Sequence, residues 1–127
     1  MQPNTVKRTL KEGGTAIGTM VFEFCTPGVA RLSAEAGAEF IMYDMEHTGW
    51  SVETVRDLIA TTNADHIEPL VRVPATQYHF IARVLDVGAR GVMVPVSASG
   101  CTSSTHGARI AARPPSAPER VLPPDSG

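Results

Sequence analysis

Two acid–base residues and one fixed cation stand at the ends of two short apolar runs in this 127-residue chain. Asp44 and His47 follow the run at residues 40–43, and Arg72 closes the run at residues 68–72. A carboxylate three residues before a histidine can orient the imidazole and raise its basicity, which makes the pair a candidate general base. An arginine at the next strand end offers a guanidinium that can hold a carboxylate or stabilise an enolate oxygen as charge develops. Base and cation together suit removal of a proton beside a carbonyl. The same residue types also admit plainer roles, with Asp44 and His47 as loop caps and Arg72 as an ion-pair partner of Glu23 or Glu46.

For these side chains to meet, the elements carrying them must place strand ends on one face. From residue 16 to residue 95, short β-branched or apolar runs alternate with helical patterns, the rhythm of βα units. Strands are expected at residues 17–24, 40–43, 68–72 and 91–95. The near-continuous apolarity of residues 40–43 fits a parallel strand covered on both faces. A first helix starts near Pro27, where the fixed φ of proline suits the first turn, and stops at Gly37. The second begins after Ser51 as N-cap, with Glu53 in its first turn and Val52, Val55, Leu58 and Ile59 on one face. The third spans residues 77–86, with Phe80, Ile81, Val84 and Leu85 inward and Gly88 as the stop. Each connection is too long for a hairpin, so the strands should run parallel. In such folds functional groups gather at the carboxyl ends of strands, here Glu23, then Asp44, Glu46 and His47, then Arg72, then the turn at Pro95.

Composition is that of an ordinary soluble domain, 43% hydrophobic and 19% charged with a net charge of -2, and offers no field for a polyanion. Nucleic acid is not an expected partner. No apolar run approaches the ~20 residues that cross a bilayer, and residues 1–11 lack a signal-peptide pattern, so a cytoplasmic protein with no membrane partner is expected. Cys25 and Cys101 lack metal-ligand spacing and read as free thiols. His66 and His79 read as solvent-exposed, His106 carries no role, and Trp50 is expected to pack over the second helix. Arg31, Arg56, Arg83 and Arg90 are expected on a solvated exterior. Residues 101–127, rich in Ser, Thr, Pro and Arg, are expected to be disordered, because five prolines prevent a helix and make a central strand implausible.

Three segments in order, Phe40-Ile-Met-Tyr-Asp-Met-Glu-His-Thr-Gly-Trp50, Leu70-Val-Arg-Val-Pro74 and Leu85-Asp-Val-Gly-Ala-Arg-Gly-Val-Met-Val-Pro95, resemble the HpcH/HpaI aldolases, the class II pyruvate aldolases. The resemblance covers residues 5–96. It implies an α/β fold, the N-terminal half of a (β/α)8 TIM barrel with about four parallel strands and three helices, at residues 1–100. It also implies a homo-oligomer that reversibly cleaves a 4-hydroxy-2-oxo acid to pyruvate and an aldehyde with a divalent metal, Mg2+, Mn2+ or Co2+. By the same resemblance His47 is the base, working with Asp44 through a metal-bound water, and Arg72 contacts the pyruvate carbonyl oxygen. Asp86 matches an aspartate near the oligomer interface. The family's carboxylate metal ligands come from later strands, after the point where this chain loses the pattern, so no metal ligand is assigned here. Glu119 and Asp125, on proline-flanked sequence, are not expected to replace them. A shifted reading frame or a truncated gene would produce such a divergence. A half-barrel with open edges is in turn expected to pair or aggregate, with its catalysis impaired. The alternatives are an inactive fragment and a relative of citrate lyase or malyl-CoA lyase.

Overall fold

The structure is a computed structural model that describes residues 3–63, 66–95 and 110–111. Along the chain these form α1 (Thr5–Lys11), β1 (Gly18–Val21), α2 (Gly28–Glu35), β2 (Phe40–Asp44), α3 (Val52–Thr62), β3 (Glu68–Arg72), α4 (Tyr78–Asp86), β4 (Gly91–Met93) and β5 (Ile110–Ala111). The sheet order is β1-β2-β3-β4-β5, with the first four strands parallel and β5 antiparallel to β4. Consecutive parallel strands joined by helices are the first half of a (β/α)8 barrel.

The register explains which residues face the helices. Ile41, Tyr43 and Met45 alternate onto the same side as Val71, Val73 and Val92, where they pack with Ala30, Val55, Leu58, Ile59 and Val84 from the three helices. Tyr43 ties the layers together by a buried hydroxyl contact of 2.6 Å with Thr62. The Thr62 hydroxyl donates to the Leu58 carbonyl at 2.7 Å, so Tyr43 must be the donor in the first bond. The alternate residues Met42, Asp44, Leu70 and Arg72 lie on the opposite face of the strands, the one that lines the inside of a barrel. Odd and even positions of β2 thus serve core and site respectively.

Helix boundaries follow the expected local chemistry. Ser51 caps α3 by accepting from the backbone N–H of Thr54 at 3.3 Å, and Gly88 ends the α4 turn at φ +109°, a conformation that side chains with a Cβ avoid. Replacing Ser51 by alanine is expected to lower the unfolding free energy by about 1 kcal/mol, read as an earlier urea midpoint with unchanged slope.

Three expectations need correction. Four helices, not three, are present among the described residues, because α1 precedes β1. Asn4 caps this helix by accepting from Lys7 N–H at 2.8 Å, and Glu68 accepts from both the N–H and hydroxyl of Thr5, at 2.8 and 3.1 Å. Arg90, expected on the solvated exterior, is half-buried, and its Nε donates to Glu68 at 3.0 Å. A carboxylate opening a buried strand needs donors, and these two elements supply them. Lastly, Ile110–Ala111 form a strand within the segment expected to be disordered. A two-residue edge strand is compatible with flanking prolines, which exclude only a central one. The other residues of 101–127, including Cys101, His106, Glu119 and Asp125, lie outside the described residues.

β1 and β4 are shorter than expected, Gly18–Val21 and Gly91–Met93, while several other expectations agree with the structure. Cys25 is free and exposed, His66 and His79 are exposed, and Trp50 packs against the core with its ring 6.4 Å from that of Tyr43. Arg56 pairs with Asp57 and Arg83 with Glu53 on exposed helix surface. Among the described residues no helix is long and apolar enough to cross a membrane.

Candidate active site

Asp44 ends β2 and Arg72 ends β3, and the parallel register sets them side by side. The guanidinium grips the carboxylate with two bonds, Nε to Oδ1 at 2.9 Å and NH2 to Oδ2 at 2.6 Å. This is the fork geometry that only arginine offers. Asp44 Oδ1 also accepts from the backbone N–H of Glu46 at 2.8 Å and of His47 at 3.4 Å. The Asp44 carbonyl accepts a hydrogen bond from the Thr48 hydroxyl at 2.6 Å, and Thr48 Oγ in turn accepts from Trp50 N–H. The loop after β2 is therefore bound to its own strand end by side chains, and its backbone direction is fixed.

This arrangement revises the expected use of Asp44. The sequence suggested a carboxylate orienting the imidazole, but in the structure Asp44 meets only the main chain of His47, while both its oxygens serve Arg72. The capping and ion-pair roles weighed as plainer alternatives are both present, with Glu46 rather than Glu23 as the second carboxylate on Arg72, at 3.3 Å from Nε. His47 stands on the same rim with its side chain 67% exposed, and its Nε2 lies 3.8 Å from Glu46 Oε2. Among the described residues Arg72 NH1 has no hydrogen-bond partner and is not buried, so one edge of the guanidinium is held and the other is open. Among the described residues Glu23, exposed beyond β1, makes no hydrogen bond or ion pair with the cluster, and exposed Asp86 lies at the far end of α4 beside Glu53, Arg56 and Arg83.

Burial by itself pushes the Asp44 carboxyl up, but the Arg72 hydrogen bond, the Glu46 N–H, the Arg72 charge and the His47 N–H together outweigh it and hold the carboxyl below its ordinary value of 3.8. The same pairing holds Arg72 above its ordinary range, with the Asp44 hydrogen bond as the largest cause. A depressed carboxyl gives stability that is fully present above the unfolded value and disappears as pH falls through the folded one, since the unfolded chain then binds more protons. Urea midpoints followed from neutral pH downward should stay level until about pH 4 and then fall through Asp44 titration. Asp44→Asn should show a lower midpoint at neutral pH and lack this part of the acid decline.

A divalent metal needs several preorganised oxygen or nitrogen ligands. Both Asp44 oxygens and Glu46 Oε2 are committed to Arg72 and loop amides, and among the described residues no three His, Cys, Asp or Glu side chains converge. The described residues do not by themselves fit a metal centre.

The profile of the HpcH/HpaI aldolase/citrate lyase family matches residues 20–103, a span containing every group of this rim. The chain belongs to that family. Hydroxypyruvate/pyruvate aldolase of Roseobacter denitrificans is 30% identical over 93 residues, which are 73% of this chain and 36% of the relative. Among solved structures, an HpcH/HpaI aldolase from Desulfitobacterium hafniense superposes with a TM-score of 0.66 at 31% identity, over 71% of this chain and 35% of its own. Citrate synthase SbnG gives 0.64 at 34% identity, over 75% and 38%. The chain thus spans little more than a third of the length of these family members. Glu68 is the polar residue whose partners the sequence did not disclose, since it accepts from Thr5 and Arg90, far away in the chain. A charged residue at the start of an apolar strand run was the available signal.

Proposed function

We propose that this chain carries the base and oxyanion-binding half of a pyruvate-aldolase site, a carbon–carbon lyase acting on a 4-hydroxy-2-oxo acid. The observation that supports it is the half-held Arg72, gripped on one edge by Asp44 and open on the other, on the rim that also carries His47. In the cleavage direction His47 takes the proton of the C4 hydroxyl, the C3–C4 bond breaks, and an aldehyde departs. The electron pair of that bond becomes the C2–C3 double bond and the carbonyl π pair moves onto the C2 oxygen, where the open edge of Arg72 donates hydrogen bonds to the enolate. Protonation at C3 by the imidazolium completes pyruvate and restores the base. A preorganised guanidinium suits this step because it needs no reorganisation as charge develops.

By resemblance, a divalent metal would add Lewis acidity to the reaction. Its ligands would have to come from outside the described residues, and none of the steps above is routed through it. The small oxo acid substrate and a homo-oligomeric, cytoplasmic protein belong to the same reading. A reduced rate relative to the longer family members, or an inactive fragment, is its impaired limit.

A second reading is favoured by the likeness to citrate synthase SbnG and by the family's citrate lyase members. Here the same enolate would arise from a different oxo or acyl donor. The assay that separates the readings is product formation by the full chain with manganese or magnesium present, supplied in parallel with a 4-hydroxy-2-oxo acid and with citrate. Pyruvate from the first alone supports the aldolase, cleavage of the second supports the lyase, and no product from either at high protein concentration supports the inactive fragment.

A further inference from the structure

We propose that the cavity between α1 and the amino end of the sheet binds a small amphipathic carboxylate, a short aliphatic chain ending in an anion. The cavity measures about 310 Å³, at the lower end of the range for small-molecule sites. Among the described residues that line it, the charged ones are Lys7, Lys11 and Arg90, all cationic, and Val6, Leu10 and Leu70 form an apolar wall. Asn4 ties the two sides together by donating to the Arg90 carbonyl at 3.0 Å. The cavity is separate from the rim described above. Leu70 precedes Arg72 by two residues on the same face of β3, so cavity and rim lie toward opposite ends of one strand.

Charge decides the first half of the ligand. Lys7 and Lys11 sit one turn apart on α1, the spacing at which like charges repel. The helix dipole accounts for Lys11, which is in the last turn, but not for Lys7, which is outside it. Arg90 is balanced by Glu68, whose Oε2 accepts from its Nε at 3.0 Å, and Glu68 Oε1 is already taken by Thr5. No carboxylate is left for the lysines, and among the described residues neither ammonium has a hydrogen bond or ion pair. In a chain of net charge -2, three cations around one concavity reverse the local field and draw anions to it. The wall decides the second half. Leu10 is 49% exposed, beside the buried Val6 and Leu70. A bare inorganic anion would leave that leucine in water, whereas an aliphatic chain covers it while its carboxylate meets the lysine ammonium groups at the ends of their apolar stems. Seated there, the ligand touches α1 on one side and β3 on the other and clasps the helix to the sheet.

The test is titration calorimetry of the full chain with hexanoate as the probe, run beside hexylammonium, hexanol and sulfate at matched ionic strength. Hexanoate should bind in the millimolar range and the other three at least about tenfold more weakly, because each lacks one half of the match. The double replacement Lys7→Gln with Lys11→Gln should weaken hexanoate by about tenfold or more, the cost of a lost charge-assisted contact. Leu10→Ser should weaken hexanoate and leave sulfate unchanged. Hexanoate should also raise the melting midpoint of the wild type and not that of the double variant. His47→Ala should bind hexanoate as the wild type does. No hexanoate binding, equal binding of any of the other three probes, or an affinity that survives the lysine replacements overturns the proposal. An affinity lost in folded Arg72→Lys and kept in the lysine variant also overturns it, since the carboxylate then sits at the rim. Should the double variant fail to fold, Lys11→Gln alone, at an exposed position, carries the same comparison.

Discussion

His47→Ala is expected to lower pyruvate formation by about a hundred- to ten-thousandfold, the usual contribution of a positioned general base. The loss should fall on kcat, because the imidazole acts on a proton in transit and adds little to ground-state binding. Stability should barely change. The side chain is 67% exposed and lies outside the packed core, and surface replacements of this kind generally stay within about 0.5 kcal/mol. The check is a Michaelis–Menten comparison beside a urea melt of both proteins. A variant retaining most of the wild-type kcat would remove His47 from the reaction.

Arg72→Lys is expected to cost about a hundred- to thousandfold in kcat although the charge is kept, the scale seen when one oxyanion donor is lost. The physical reason lies in valency. Arginine spends its Nε and NH2 on Asp44 and still presents NH1 to the rim, whereas an ammonium that reaches the carboxylate must give up the fixed second edge. Asp44, fully buried, would retain a cation but lose the two-point grip. The variant should therefore also unfold at lower denaturant, by about 1–3 kcal/mol, since a charged group inside the fold loses part of its satisfied hydrogen bonding. Kinetics and denaturation on one preparation separate the two effects. Wild-type kcat in a folded Arg72→Lys protein would refute the oxyanion role.

The parallel frame was legible because its signals are local and redundant. β3 begins and ends where Pro69 and the apolar run Leu70–Val71 place it, α3 starts at its serine cap, and α4 stops at its glycine. The use made of Asp44 was not legible. Sequence spacing brings Asp44 close to His47 along the chain, but β2–β3 register brings it just as close to Arg72, 28 residues away, and a fork of two hydrogen bonds outcompetes one imidazole contact. The N-terminal helix was missed for a related reason. Seven residues carry too little amphipathic pattern to stand alone, and the helix is held through Glu68, 63 residues further on. Arg90 belongs to the same distant arrangement, so nothing beside it in the chain marks it as anything but a surface cation.

That arrangement also sets an order of events. Thr5 docks on Glu68, and Asn4 donates to the carbonyl of Arg90, 86 residues away, so this short segment finds its partners only after residues 68 and 90 have followed it in the chain. Closing so long a loop is entropically costly. During synthesis α1 thus stays undocked until Glu68 of β3 has emerged, and the second tether, to Arg90, forms later still.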